Sequence, residues 1–76
     1  MNNIRVGSRV IINTHVCEDV YFKKAAICIS VGKNNLILKL ENPEDADYVL
    51  NKGWTNKPFL SIRDVKLYKN KNIENE

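Results

Sequence analysis

Apolar and polar residues alternate with a period of two along five stretches of the chain, which is the pattern of half-buried β-strands. The second and third stretches flank a turn at residues 32–35 and predict the clearest hairpin. The last two are short and are separated by a tight turn at Arg63 and Asp64. The predicted strands cover residues 5–13, 24–31, 36–41, 59–62 and 65–68.

The second predicted strand has one face of larger residues and one of smaller residues. We predict that the larger face packs in the core. The larger face comprises Ala25, Ile27, Ile29 and Val31, and the smaller face comprises Lys24, Ala26, Cys28 and Ser30. The whole predicted core is Val10, Ile12, Ala25, Ile27, Ile29, Leu36, Leu38, Leu40, Val49, Leu50, Leu60, Ile62, Val65 and Leu67.

One short helix is predicted over residues 43–52. Asn42 is a favourable N-cap, Pro43 suits the first helical position, and the acidic residues that follow lie at the positive end of the helix dipole. Gly53 is the expected C-terminal cap. Residues 41–48 hold four acidic residues and no basic one, and dipole compensation is the simplest reason for that block.

These elements predict one small α+β domain over residues 1–69, dominated by a five-stranded, strongly bent antiparallel sheet or small barrel. The helix is inserted before the last two strands, and residues 13–22 form an irregular arm after the first. Residues 70–76 are polar and are expected to fray. A chain of 76 residues builds only one small core.

Three segments resemble Src-homology-3-like small barrels of the KOW and Tudor kind. They are Val6-Gly7-Ser8-Arg9-Val10, residues 25–31, and the run from Phe59 to Leu67. The resemblance implies a surface-binding barrel. Two departures separate the chain from that pattern: Ala25 or Ala26 replaces the glycine that opens the second strand, and a helix stands where a short hairpin is usual. No family binding residue is therefore transferred to this chain.

Composition narrows the class of protein. Hydrophobic residues make up 43% of the chain and charged residues 28%, as in globular domains. Two cysteines are too few for a disulfide framework, and neither a signal peptide nor a spanning segment is visible, so a cytoplasmic protein without membrane contact is expected. Eleven asparagines and nine lysines are typical of AT-rich genes, as in many phages and low-GC bacteria.

Candidate chemistry is sparse. His15, Cys17 and Cys28 lack the two closely spaced pairs of a structural zinc site, and no third group is evident to orient a Cys–His nucleophile. The acidic residues of the helix start are too solvated for an acid/base pair. We therefore expect no enzyme, no metal and no cofactor, and a function exerted through the surface.

The first functional hypothesis is a protein-binding adaptor or inhibitor, for which aromatic side chains beside lysines would supply the contact surface. Aromatic residues at such positions are more often lids over a small core than binding residues, and the sequence does not decide between the two interpretations. A homodimer through an edge strand is compatible with this hypothesis and equally with the nucleic-acid alternative below. The candidate partner-binding residues are Tyr21, Phe22, Lys23, Lys24, Trp54 and Lys57.

The alternative hypothesis is a weak nucleic-acid-binding barrel that does not read sequence, in keeping with a net charge of +3. Four simultaneous phosphate contacts predict a log–log salt slope of about −2.8 on single strands and about −3.6 on duplex DNA. The candidate nucleic-acid-binding residues are Arg9, Lys23, Lys24, Lys33, Lys39 and Lys66. Of these, Arg9, Lys24, Lys39 and Lys66 are predicted on outward-facing strand positions.

Overall fold

The computed structural model describes residues 4–68, which form a five-stranded antiparallel sheet and one α-helix. The sheet order is β4-β3-β2-β1-β5. The predicted fold class is confirmed. The sheet is open, with β4 and β5 at its two edges, and the predicted tail 70–76 lies outside the described residues. The elements are β1 Arg9–Ile12, β2 Ala25–Val31, β3 Asn35–Leu40, α1 Pro43–Asn51, β4 Phe59–Ser61 and β5 Val65–Leu67.

The ends of α1 are fixed by local capping. The Asn42 side chain accepts a hydrogen bond from the Glu44 amide at 2.8 Å. At the other end Gly53 adopts a φ of +90°, which a side chain would disfavour. The Gly53 amide donates to the Leu50 carbonyl at 3.0 Å and the Trp54 amide to the Val49 carbonyl at 2.9 Å, which is a Schellman cap. The predicted helix is correct to within one residue.

The predicted core face of β2 is wrong. Ala26 and Cys28 are fully buried, whereas Ala25 and Ile27 are only partly buried and Ile29 is 39% exposed. The arm explains the inversion, because Val20 and Tyr21 join the same core cluster and fill volume that larger β2 side chains would otherwise occupy. Small residues therefore lie inside at the centre of the sheet.

A β-bulge also breaks the alternation on which that prediction relied. Cys28 lies opposite Leu38, but Ser30 lies opposite Ile37, so one residue of β2 is unpaired between them. Val31 then returns to the same face as its partner Leu36 and is 41% exposed at the end of the strand. A strict period of two does not hold across β2.

The other predicted core residues divide into three groups. Leu50 is 51% exposed, because only one side of α1 faces the sheet and Val49 occupies it. Ile62 and Leu67 are partly buried and pack against the core. The remaining predictions are confirmed by burial: Val10, Ile12, Leu36, Leu38, Leu40, Val49, Leu60 and Val65.

The arm between β1 and β2 contains a left-handed turn. Cys17, Glu18 and Asp19 have φ values of 56°, 57° and 63°, each of which is costly for a residue with a side chain. Burial of Val20 and Tyr21 directly after the turn holds the arm on the sheet. Both cysteines are free thiols. Within residues 4–68 no helix is long and apolar enough to span a membrane.

Candidate functional site

The face of the sheet opposite the core, which we call the outer face, carries exposed cations and an exposed aromatic ring. In the middle of the sheet Ile27 lies opposite Arg9 on one side and opposite Lys39 on the other. On the flanks Ile37 lies opposite Phe59, and Ile11 opposite Lys66. Lys39, Lys66 and Arg9 are exposed, and the isoleucines are partly buried. The outer face is therefore an apolar strip interrupted by positive charge.

One row of residues crosses the sheet at a single level. Lys39, Ile27 and Arg9 are direct cross-strand neighbours, and the Tyr68 amide donates to the Arg9 carbonyl at 2.9 Å. Because neighbouring strands lie about 4.8 Å apart, one ligand can contact adjacent side chains of this row at the same time.

Lys57 extends the row beyond Lys39. The Leu38 amide donates to the Pro58 carbonyl at 2.9 Å and the Leu40 amide to the Asn56 carbonyl at 3.1 Å, so the pairing of β3 continues past the start of β4. Pro58 is buried while Lys57 is exposed, which places Lys57 beside Lys39. We call Lys57, Lys39, Ile27, Arg9 and Tyr68 the cationic row.

The cationic row has little internal charge compensation. Like charges on facing positions of neighbouring strands destabilise a sheet, and within residues 4–68 neither Lys39 nor Lys57 forms an ion pair. Arg9 is held in place instead, since its guanidinium lies 3.1 Å from the Glu41 carboxylate and 4.4 Å from the centre of the Tyr68 ring. The two lysines are thus free to contact an anion.

Phe59 is the aromatic residue most exposed to solvent. Its side chain is 67% exposed on edge strand β4, one outward position along from Lys57. Tyr68, at the opposite edge, is 44% exposed. Both rings lie on the outer face with the cations, and sequence analysis did not select either of them. The signal was present: Phe59 and Tyr68 alternate with core residues Leu60 and Leu67 and must therefore point outward.

The three aromatic residues selected from the sequence do not form one exposed patch. Tyr21 is 1% exposed, and its hydroxyl donates to the Thr55 carbonyl. Trp54 is half-buried and packs against the core. The Phe22 ring stacks on His15 with centroids 4.1 Å apart. Tyr21 and Trp54 therefore belong to the core and its lid.

The selected lysines are separated by the sheet. Lys39, Lys57 and Lys66 lie on the outer face with Arg9, and Lys33 lies at the β2–β3 turn. Lys24 is 3.3 Å from the Asp45 carboxylate of α1, on the core side. Lys23 has a φ of 63° and its amino group lies over the Phe22 ring. Lys23 and Lys24 therefore do not share a surface with the cationic row.

His15 has an orienting carboxylate that the sequence did not suggest. Its Nδ1 lies 3.0 Å from Asp19 Oδ1, with both side chains largely exposed. The left-handed turn between them brings these two groups together. An exposed pair of this kind contributes about 0–1 kcal/mol. Among residues 4–68 no group of three or more potential metal ligands lies together.

The buried Tyr21 hydroxyl predicts an alkaline limit to stability. Burial raises the pKa of Tyr21, the nearby Cys17 raises it further, and the hydrogen bond to the Thr55 carbonyl lowers it. The folded-state pKa therefore lies above the unfolded value of about 10. The neutral hydroxyl contributes its full stabilisation at pH values below about 10, and this contribution is lost as the pH rises through the folded-state pKa.

We expect thermal unfolding of Tyr21→Phe to depend less on pH above about 10 than that of the parent. The exposed Tyr48→Phe control should follow the parent, and identical alkaline profiles for all three proteins would contradict the assignment.

No family model, curated protein or solved structure matches the chain.

Proposed function

We propose that the protein is a non-enzymatic binding module whose ligand is single-stranded nucleic acid, held on the outer face of the sheet without sequence readout. The observation that carries the proposal is the uncompensated pair Lys39 and Lys57 directly beside the exposed ring of Phe59. Both kinds of contact that a single strand requires are present within one small surface.

Proteins that bind single strands combine cations that follow the phosphates with aromatic rings on which unpaired bases stack. Arg9, Lys39, Lys57 and Lys66 provide four positive charges on the outer face, and Glu41 offsets one of them through Arg9. An unpaired base can stack on the Phe59 ring directly, whereas a base in a duplex would first have to leave the stack of the duplex. A single strand therefore fits this face better than a duplex.

A protein partner is the second candidate, favoured by the apolar strip on the same face. Ile11, Ile27 and Ile37 run beside Phe59, and aromatic anchors surrounded by apolar contacts are typical of protein interfaces. The positive charges would then select an acidic partner.

The resemblance to Src-homology-3-like barrels stays a prediction. It rests on the order of the strands, the arm, the hairpin and the final short turn.

The salt dependence of oligonucleotide binding tests the proposal. We expect a labelled single-stranded oligonucleotide to bind weakly in an anisotropy titration, with a log–log salt slope of about −2.8 for four phosphate contacts. The double variant Lys39→Gln/Lys66→Gln should reduce the slope to about −1.4. Duplex of the same sequence should bind less tightly at equal salt.

The matched control removes the same charge elsewhere. Lys23→Gln/Lys52→Gln changes two exposed lysines away from the outer face and should leave the slope unaltered. A slope reduced equally in both double variants would show a diffuse charge effect and no defined interface. Absence of binding at low salt would exclude nucleic acid and leave the acidic protein partner.

A further inference from the structure

A basin at the end of the β3–β4 pair lies next to the proposed interface. It has a volume of about 600 Å³ and is lined by Lys33, Asn34, Ser61, Ile62 and Arg63. Its two sides come from the β2–β3 turn and from the short turn between β4 and β5. Of these five residues, only Lys33 was predicted from the sequence to bind nucleic acid.

Hydrogen bonds fix the two sides of the basin relative to each other. The Ile62 amide donates to the Asn34 carbonyl at 3.0 Å, which ties the two turns together. The Gly32 amide donates to the Asn35 carbonyl at 2.8 Å and closes the β2–β3 turn. Lys33 and Arg63 are thus carried on two connected turns whose separation does not depend on a ligand.

The polar groups of the basin are mostly donors. Lys33 and Arg63 contribute an ammonium and a guanidinium, and Asn34 an amide group. The Ser61 hydroxyl oxygen already accepts from the Arg63 amide at 3.3 Å, so its hydrogen remains available to donate. Within residues 4–68 no carboxylate lines the basin, and neither Lys33 nor Arg63 forms an ion pair. The chemistry selects an anion with several acceptor oxygens.

We propose that this basin is a binding site for a phosphate group. A phosphate accepts charge-assisted hydrogen bonds from lysine and arginine together, and arginine can present two parallel donors to it. The identity of the carrier, a nucleotide of a bound strand, rests on the proposed function. Recognition of the phosphate itself does not.

The spacing along β4 supports a nucleotide as the carrier. Lys57, Phe59 and Ser61 occupy successive outward positions, each about 7 Å from the next. A base stacked on Phe59 therefore has a cation on one side and the basin on the other, at about the reach of a nucleotide's own phosphates. A strand bound on the outer face would therefore extend past Phe59 into the basin.

Nuclear magnetic resonance titration of the folded protein with inorganic phosphate tests the site directly. At constant ionic strength maintained with chloride, we expect saturable shifts of the amide signals of residues 32–34 and 61–63. Lys33→Gln/Arg63→Gln should raise the phosphate Kd about tenfold or more, since both charged donors are lost. The control Lys23→Gln/Lys52→Gln should leave the Kd unchanged.

The outcomes separate the basin from the outer face. Saturable phosphate binding that Lys33→Gln/Arg63→Gln weakens, and that the control leaves unchanged, supports the site even if no oligonucleotide binds. Shifts that do not saturate, or that weaken equally in both double variants, overturn it even if oligonucleotides bind. To identify the carrier, a single-stranded oligonucleotide is titrated: loss of affinity in Lys33→Gln/Arg63→Gln assigns the phosphate to the strand, and unchanged affinity rejects the strand as its source.

Discussion

Replacing Leu38 by Ala is expected to destabilise the domain by about 2–5 kcal/mol. Leu38 is fully buried at the centre of β3 and lies opposite Cys28. Removal of three side-chain carbons leaves a cavity that the surrounding strands cannot close. The free energy of unfolding of a native protein is about 5–15 kcal/mol, so this loss is a large fraction of the total. The variant should melt at least about 10 °C lower than the parent.

Leu50→Ala is the matched control for Leu38→Ala. The same atoms are removed from a side chain that is 51% exposed on α1, and Ala favours the helix more than Leu. We expect a change of about 0.5 kcal/mol or less. Equal destabilisation by the two substitutions in thermal or urea unfolding would contradict the burial described for both residues.

Local patterns were sufficient to predict most of the fold. The alternation of Leu36, Leu38 and Leu40 identified both β3 and its buried face. The combination of Asn42, Pro43 and Gly53 located α1, because capping depends on the backbone groups of the helix ends and not on distant contacts.

The errors arose where a distant segment determines the packing. The volume of the Val20 and Tyr21 side chains determines which face of β2 is buried. The sequence of β2 itself contains no information about that volume. The bulge between Cys28 and Ser30 likewise follows from pairing with β3. A strand that is apolar on both faces therefore cannot be oriented from its own sequence.

The candidate interface was predictable only in part. Arg9, Lys24, Lys39 and Lys66 were expected on outward strand positions. Arg9, Lys39 and Lys66 lie together on the outer face, whereas the prediction for Lys24 is wrong, because Lys24 lies on the core side beside Asp45. Lys57 lies beside Lys39 because the hydrogen bonding of β3 continues to the residues before the start of β4, which no local pattern specifies. Phe59 was not among the predicted binding residues, although its alternation with Leu60 placed it opposite the core.

Phe59→Ala is expected to cause the largest loss of oligonucleotide affinity of any single substitution on the outer face. Stacking of a base on an aromatic ring contributes about 1–3 kcal/mol, so the Kd should rise about 5- to 150-fold. The ring is 67% exposed and little core contact is lost, which should leave the melting temperature within a few degrees of the parent.

Tyr48→Ala provides the control, since it removes an aromatic ring that is 48% exposed on α1, away from the outer face. Its oligonucleotide Kd should equal that of the parent. Because stacking is independent of charge, Phe59→Ala should weaken binding while preserving the salt slope, whereas Lys39→Gln/Lys66→Gln should reduce the slope. A Phe59→Ala protein that binds as tightly as the parent would remove the ring from the interface and leave a contact made by charge alone.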